Sequence, residues 1–389
     1  MQRINTIFLL SLLFAMSCGR KEVAVSVSNN TQTDIGSRII EVPAGRIFAV
    51  LQSKGFYVEN SKNQKIPYQL THDSLILFKA EVKPGESEIF KIVSSDSIHS
   101  YPAVASGNFY PKRRDDVAYE NDKVGFRIYG PGTQNAGEKA YGYDIFFKYP
   151  TEELIVPQLY AAETDDKTWA KVDSLRRISN ELAEEFIESF SYHIDHGKGM
   201  DCYAVGATLG AGVAALVSGD SIVYPWCYEK FEILDNGPLR FTLSLDFPVS
   251  EIVGEKITEH RIISLDEGNH LNNTKVWYEN QFSPMQFVTG FPLRDESEPF
   301  TEITQGILSY SDPTQGEFNG RALLGIVMNH PVDSIMRKEN HILLSGMINP
   351  KDTLCYNWGF AWDKTDIKTL SDWNKYLKTS KLNYTISIN

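Results

Sequence analysis

Cysteine is scarce in this 389-residue sequence, and its four copies are badly placed for sulfur chemistry. Cys18, Cys202, Cys227 and Cys355 form no CxxC pair and no Cys/His spacing suited to zinc, so neither a redox motif nor a structural zinc site is expected. Positive charge is also short. Lys and Arg number 38 against 50 Asp and Glu, a formal net charge of -12, which argues against a surface that tracks nucleic-acid phosphates. A local basic cluster could still bind an anionic substrate on such a protein. The absence of GxSxG, HExxH and P-loop motifs counts against ordinary esterase, metalloprotease and kinase chemistry. No internal repeat and no low-complexity tract occurs.

Long apolar runs are missing too. The run Ile7 to Ala15 at the start is shorter than the about 20 residues that span a bilayer. Arg3 before it and Ala15-Met16-Ser17-Cys18 after it make residues 1–17 read as a lipoprotein signal peptide rather than a buried strand. Cys18, placed directly after the cleavage point, is the expected lipidation site. A diacylglyceryl group there meets the two-chain condition for stable anchoring. Gly19-Arg20-Lys21 is not acidic, which favours a periplasm-facing position in the cell envelope, with the membrane touched only through the lipid. Removal of the leader takes away Arg3 and no acid, leaving a charge of -13 and three cysteines, which cannot all pair internally.

Strand-like runs dominate what remains. Val23–Val27, Ile39–Val42, Arg46–Val50, Ser74–Phe78 and Glu88–Val93 are short and bounded by Gly, Pro, Asn or Ser, the pattern of a small N-terminal β-sandwich over 18–100. Residues 99–112 read as a linker. Residues 113–389 carry further strand-like runs at 124–129, 143–149, 203–209, 212–217, 239–247, 259–265, 274–282, 322–328 and 341–347. One helix is expected from Asp165-Asp166 onward, because Val172, Leu175, Ile178, Leu182, Phe186 and Phe190 recur at three- and four-residue spacing. The expected fold is therefore all-β: a small sandwich followed by a large antiparallel double-sheet, supersandwich-like domain with one helical insertion.

Four polar clusters could carry chemistry. Tyr192-His193-Ile194-Asp195-His196-Gly197-Lys198-Gly199-Met200-Asp201 holds two of the eight histidines. Its readings are an imidazole oriented by Asp195, a metal site, for which HxDH is not a specific spacing, or a polar loop with structurally bonded histidines. Arg113-Arg114-Asp115-Asp116 offers planar forks for a carboxylate or sulfate, or a surface ion pair over a turn. Gly137-Glu138-Lys139-Ala140-Tyr141-Gly142-Tyr143-Asp144 puts phenols and a lysine on a glycine-rich loop, where rings stack on sugars and hydroxyls move protons. The preceding Gly130-Pro131-Gly132 lacks the frame of a nucleotide loop. In Pro225-Trp226-Cys227-Tyr228, Trp226 and Tyr228 are core residues or sugar platforms, and Asp235-Asn236-Gly237 is a hairpin turn.

Three of these strings, with the second extended through Tyr119-Glu120-Asn121-Asp122, and Glu232-Ile233-Leu234-Asp235-Asn236-Gly237-Pro238-Leu239 beside them, resemble a family long labelled only a domain of unknown function. That family occurs in polysaccharide-utilisation gene clusters of Gram-negative bacteria, and one member is an ulvan-oligosaccharide dehydratase. The resemblance covers most of the mature chain. It implies a carbon–oxygen lyase that removes water from a terminal uronic acid of an ulvan-like oligosaccharide, giving a 4,5-unsaturated uronate.

Such chemistry needs the uronate charge neutralised, for which Arg113, Arg114, Lys139 or Lys198 is suited. It needs a base, His193 or His196 with Asp195 setting the tautomer, and an acid, Tyr141, Tyr143 or Tyr192. Tyr141, Trp226 and Tyr228 would contact sugar. No cofactor is expected, since arginines can supply the charge, with a cation such as Ca²⁺ or Zn²⁺ the lesser option. The rival readings are a polysaccharide lyase, which expels a sugar instead of water, and a non-catalytic glycan-binding lipoprotein.

Overall fold

A computed structural model describes residues 20–294, 300–303 and 306–389. Residues 1–17, expected to be a leader, and Cys18 lie outside the described residues, and no helix among those described is long and apolar enough to cross a membrane. The fold is mostly β, with antiparallel sheets packed as sandwiches and six short α-helices among the described residues.

The N-terminal body has two sheets. One runs in the order Thr385–Ile388, Glu22–Ser28, Ser87–Ser95, Gly55–Glu59, Lys65–Ile66, and the other Arg38–Pro43, Leu75–Ala80, Tyr68–Leu70. Val25, Val27 and Ile92 from the first and Val42, Ile76 and Phe78 from the second share one core. The alternation of Val23, Val25 and Val27 places every second side chain inside. Two sequence expectations change here. Residues 46–50 are not a strand but part of the helix Ala44–Leu51, whose buried Ala44, Ile47 and Leu51 follow helical rather than alternating spacing. The body also takes its outermost strand from the far end of the chain, where Ile386 and Ile388 pack onto its core.

The larger body sets a nine-stranded sheet against two five-stranded ones. Its core joins Phe241, Ile263 and Trp358 of the large sheet to Val288 and Leu343 of one smaller sheet and Tyr119, Phe126 and Phe147 of the other. The expected linker is shorter than 99–112, because Ser106–Tyr110 is an edge strand beside Asp116–Glu120. The expected strand at 203–209 is irregular, with Gly206 and Gly210 at positive φ. The long helix is two, Asp166–Arg176 and Asn180–Glu188. Ser179 accepts from the backbone N–H groups of Glu181 and Leu182, so an N-cap inside the periodic run restarts the helix. Ile178, at that break, is 75% exposed.

The sheet that carries the candidate site runs Gly199–Met200, Asp144–Lys148, Gly125–Ile128, Asp116–Glu120, Ser106–Tyr110. All the residues of its three middle strands are buried. Val117, Tyr119, Phe126, Ile128, Ile145 and Phe147 point into the main core. Period-two geometry turns Asp116, Ala118, Glu120, Arg127, Asp144, Phe146 and Lys148 to the opposite face. That face is covered by the helix Val156–Glu163 and the segment at Tyr192, through a cluster of Ala118, Phe146, Val156, Tyr160 and Tyr192.

Candidate active site

Charged side chains buried on a covered sheet face must find partners. Arg127 stands in register between Ala118 and Asp144. Its Nε donates to Asp144 Oδ2 at 2.7 Å and its Nη2 to Asp201 Oδ2 at 2.9 Å. Tyr129 also donates to Asp144 Oδ2, at 2.8 Å. Burial first, then the Asp144 charge, pushes the Asp201 carboxyl above its ordinary range, against the pull of Arg127.

Beside this centre the chain makes a strained turn. Arg114 and Asp115 are consecutive left-handed residues, at φ of 58° and 65°. The turn lies so close to Gly130 and Gly132 that a Cβ on either would collide with its backbone, which explains the glycines without a nucleotide. Asp115 accepts from the Gly132 N–H at 3.1 Å, and the Tyr228 hydroxyl donates to the Asp115 carbonyl. The turn holds Arg113 on one side and Asp116 on the other. The half-buried Arg113 guanidinium lies over the rings of Tyr160 and Tyr192, 5.5 and 5.2 Å from their centroids, and donates to the Tyr192 hydroxyl. Three buried polar atoms here have no protein partner: Arg113 Nε, Asp116 Oδ1 and Tyr160 Oη. Burial raises the Asp116 carboxyl to about 7, although Arg127 and Arg113 oppose the shift. Burial also raises the Tyr192 phenol, again against both arginines.

His193 forms the solvent edge. Its side chain is 58% exposed, and its ring sits 4.4 Å from that of Tyr192, centroid to centroid. Nδ1 lies 2.9 Å from the carbonyl oxygen of Asp201. A carbonyl only accepts, so Nδ1 carries the hydrogen and Nε2 of the neutral ring keeps a free lone pair. Imidazole, phenol and guanidinium thus meet in sequence from solvent inward.

The remaining expected residues fall around or away from this group. Asp195 does not orient His193. It accepts from the Gly197 and Gly199 N–H groups and from Tyr149, building the loop instead. His196 is exposed and has no hydrogen bond or ion pair among the described residues. Tyr143 is on the core face of the sheet, stacked on Trp358 at 4.0 Å and bonded to Arg261, so strand alternation separates it from its neighbour Asp144. Arg114 pairs with Glu138 at the surface, and Lys198 with Glu153. Lys139 is exposed. Tyr141 packs its ring near Tyr224, at 5.4 Å. Tyr228 is buried against the turn, whereas Trp226 is 50% exposed. No cluster of three or more metal-type side chains occurs among the described residues. Arg127, Tyr129 and Tyr160 were missed from sequence, and Asp116, Asp144 and Asp201, though inside the strings singled out, were given no role. For Asp116, Arg127 and Asp144 the one signal is a charged residue in a strand that looks half-exposed.

A mostly antiparallel, sandwich-like β protein with an arginine–carboxylate centre under a helical cover is the class these features define. The chain belongs to the family described as "Domain of unknown function (DUF4861)", whose model matches residues 27–387. It is 25% identical over 337 residues to "Uncharacterized protein P7" of Formosa agariphila, covering 81% of this chain and 77% of that one. Two solved structures align at a TM-score of 0.49: an Enterococcus faecalis protein in glycosyl hydrolase family 38, 7% identical, and an alpha-mannosidase from Enterococcus faecalis V583, 8% identical. Each alignment covers 95% of this chain and 47% or 46% of the other, so the chain spans about half their length.

Proposed function

We propose that this protein is a carbohydrate-active dehydratase that eliminates water from a terminal uronic acid of a polyanionic, ulvan-like oligosaccharide. The observation that supports it is the contact series from the exposed His193 through the buried Tyr192 to Arg113. The C5 hydrogen of a uronate is weakly acidic while its carboxylate is charged. Arg113, with an unpartnered Nε, neutralises that charge as the carbanion-like state develops. His193 Nε2 takes the C5 proton. The Tyr192 phenol, kept protonated by burial, gives its proton to the hydroxyl leaving C4. The C5–H and C4–O bonds break, a C4–C5 double bond forms, and water departs. Proton transfer through solvent restores both side chains. The half-exposed Trp226, two residues before the Tyr228 that meets the turn, supplies a stacking surface for a further sugar. In this reading the protein is lipid-anchored at Cys18 in the cell envelope, facing the periplasm, and needs no cofactor.

The test is incubation with a panel of uronate-ended oligosaccharides, read by mass spectrometry and by absorbance of the conjugated double bond. Loss of one water mass at unchanged chain length supports the dehydratase. Chain shortening instead identifies a lyase, and sugar binding without any spectral change a glycan-binding protein. Either result overturns the proposal.

A further inference from the structure

Arg113 and Asp116 flank the left-handed pair Arg114 and Asp115. They are opposite in charge type, yet no hydrogen bond or ion pair joins them among the described residues. The turn between them is pinned twice, at the Asp115 carbonyl by Tyr228 and at the Asp115 carboxylate by the Gly132 N–H. The backbone therefore fixes their separation. Each keeps a buried atom without a protein partner, Arg113 Nε and Asp116 Oδ1.

The other charged and titratable groups around Asp116 are already committed. Arg127, on the neighbouring strand, spends Nε on Asp144 and Nη2 on Asp201. Glu120, further along the same strand face, is paired with Lys148. Burial pushes up the phenols of Tyr110 on the edge strand, Tyr160 on the covering helix, Tyr192 and Tyr228, which keeps them neutral. A charged carboxylate buried with an oxygen unpartnered is strongly disfavoured, so Asp116 rests as the neutral acid and leaves the Arg113 charge uncompensated. Above its value of about 7, the ionised carboxylate competes with an incoming anion for that charge.

We infer that Asp116 is a positioning residue that regulates the site, its charge deciding whether the Arg113 guanidinium is available to a uronate carboxylate. The inference rests on the dehydratase reading, and Asp116 acts through Arg113 rather than on the sugar. Two measurements test it. Carbon NMR follows the Asp116 carboxyl, assigned by its absence from Asp116→Asn. Arg113→Gln should move its midpoint up by about one pH unit, because a facing positive charge is gone. An unmoved midpoint overturns the coupling, whatever the substrate. The second measurement is calorimetric binding of an oligosaccharide ending in a 4-deoxyuronate, which has no C4 hydroxyl to lose. On going from pH 6 to pH 8, its affinity for the intact protein should fall about tenfold. Asp116→Asn, which cannot ionise at that position, should cut the fall to about threefold or less, the remainder belonging to His193 and Asp201. A merely structural role would change affinity alike at both ends. Binding by the parent that ignores pH, or an Asn variant that keeps the parent's fall, overturns the inference. If the analogue binds at neither pH, the uronate reading fails and the NMR midpoint alone decides the coupling.

Discussion

Two buried ionic groups share the covered face of one sheet, and they are finished differently. Around Lys148 the accounts close. Its ammonium meets Glu120 Oε2 and the Asn121 carbonyl, both at 2.7 Å, and the Glu153 carbonyl at 3.2 Å. Glu120 in turn accepts from the Ile155 and Val156 N–H groups, at 3.0 and 2.8 Å, where the helix Val156–Glu163 begins. A few residues away, Arg113 Nε, Asp116 Oδ1 and Tyr160 Oη have no protein partner. Buried polar groups are nearly always satisfied, so the completed group acts as a structural anchor, while the incomplete one keeps hydrogen-bonding capacity that no protein group uses.

The sharpest way to break that contrast is to damage the anchor. Glu120→Ala leaves Lys148 buried without its counter-charge and frees two helix N–H groups. It should cost about 3–5 kcal/mol of stability, measured by urea unfolding, and any loss of activity should follow the loss of folded protein. The incomplete group should behave in reverse. His193→Ala is expected to lower dehydration about a hundredfold or more, with the melting temperature nearly unchanged because the ring is largely exposed. Equal activity of His193→Ala and the parent would remove His193 from the mechanism.

Asp116 supplies the pH test. Its folded value of about 7 stands above the ordinary 3.8, so the fold retains a proton that the unfolded chain gives up. Stability therefore falls as pH rises from about 4 to about 7, then levels. Asp116→Asn should stabilise the protein at pH 8 by on the order of 2–4 kcal/mol and have little effect at pH 4. Thermal melts across that range decide it, and a gain that is the same at both ends would contradict the buried, protonated carboxyl. The smallest effect is expected at His196, where alanine should change stability by less than about 0.5 kcal/mol and leave turnover almost untouched in the same assays.

The strands of this sheet were only partly legible beforehand. Asp-Ile-Phe-Phe-Lys at 144–148 falls within the strand expected at 143–149, whereas Asp-Val-Ala-Tyr-Glu at 116–120 was read only as part of a polar cluster. Nothing local reveals that residues from 151 to 201 return to cover the outer face and convert its charges into a buried centre. Arg127, a single polar residue in Gly-Phe-Arg-Ile, therefore passes as a solvent-facing position. Tyr143 shows the opposite error. One residue from Asp144, it sits on the other side of the pleat, so proximity in sequence reverses the direction it faces. Tyr192 and His193 were found because two histidines in a glycine-rich loop stand out by composition. Asp195 was a reasonable partner for His193 by spacing, but the loop closes through the Tyr192 carbonyl and the Asp201 N–H, which brings Asp201 under the ring instead.

The N-terminal sandwich has a consequence in time as well as space. Val25 lies opposite Ile388, a pairing that spans about 360 residues, among the most distant a chain of this length can make. The first body to leave the ribosome is thus completed by residues synthesised near the end. Until they arrive, strand Glu22–Ser28 has an unmatched edge, open to pairing with other chains.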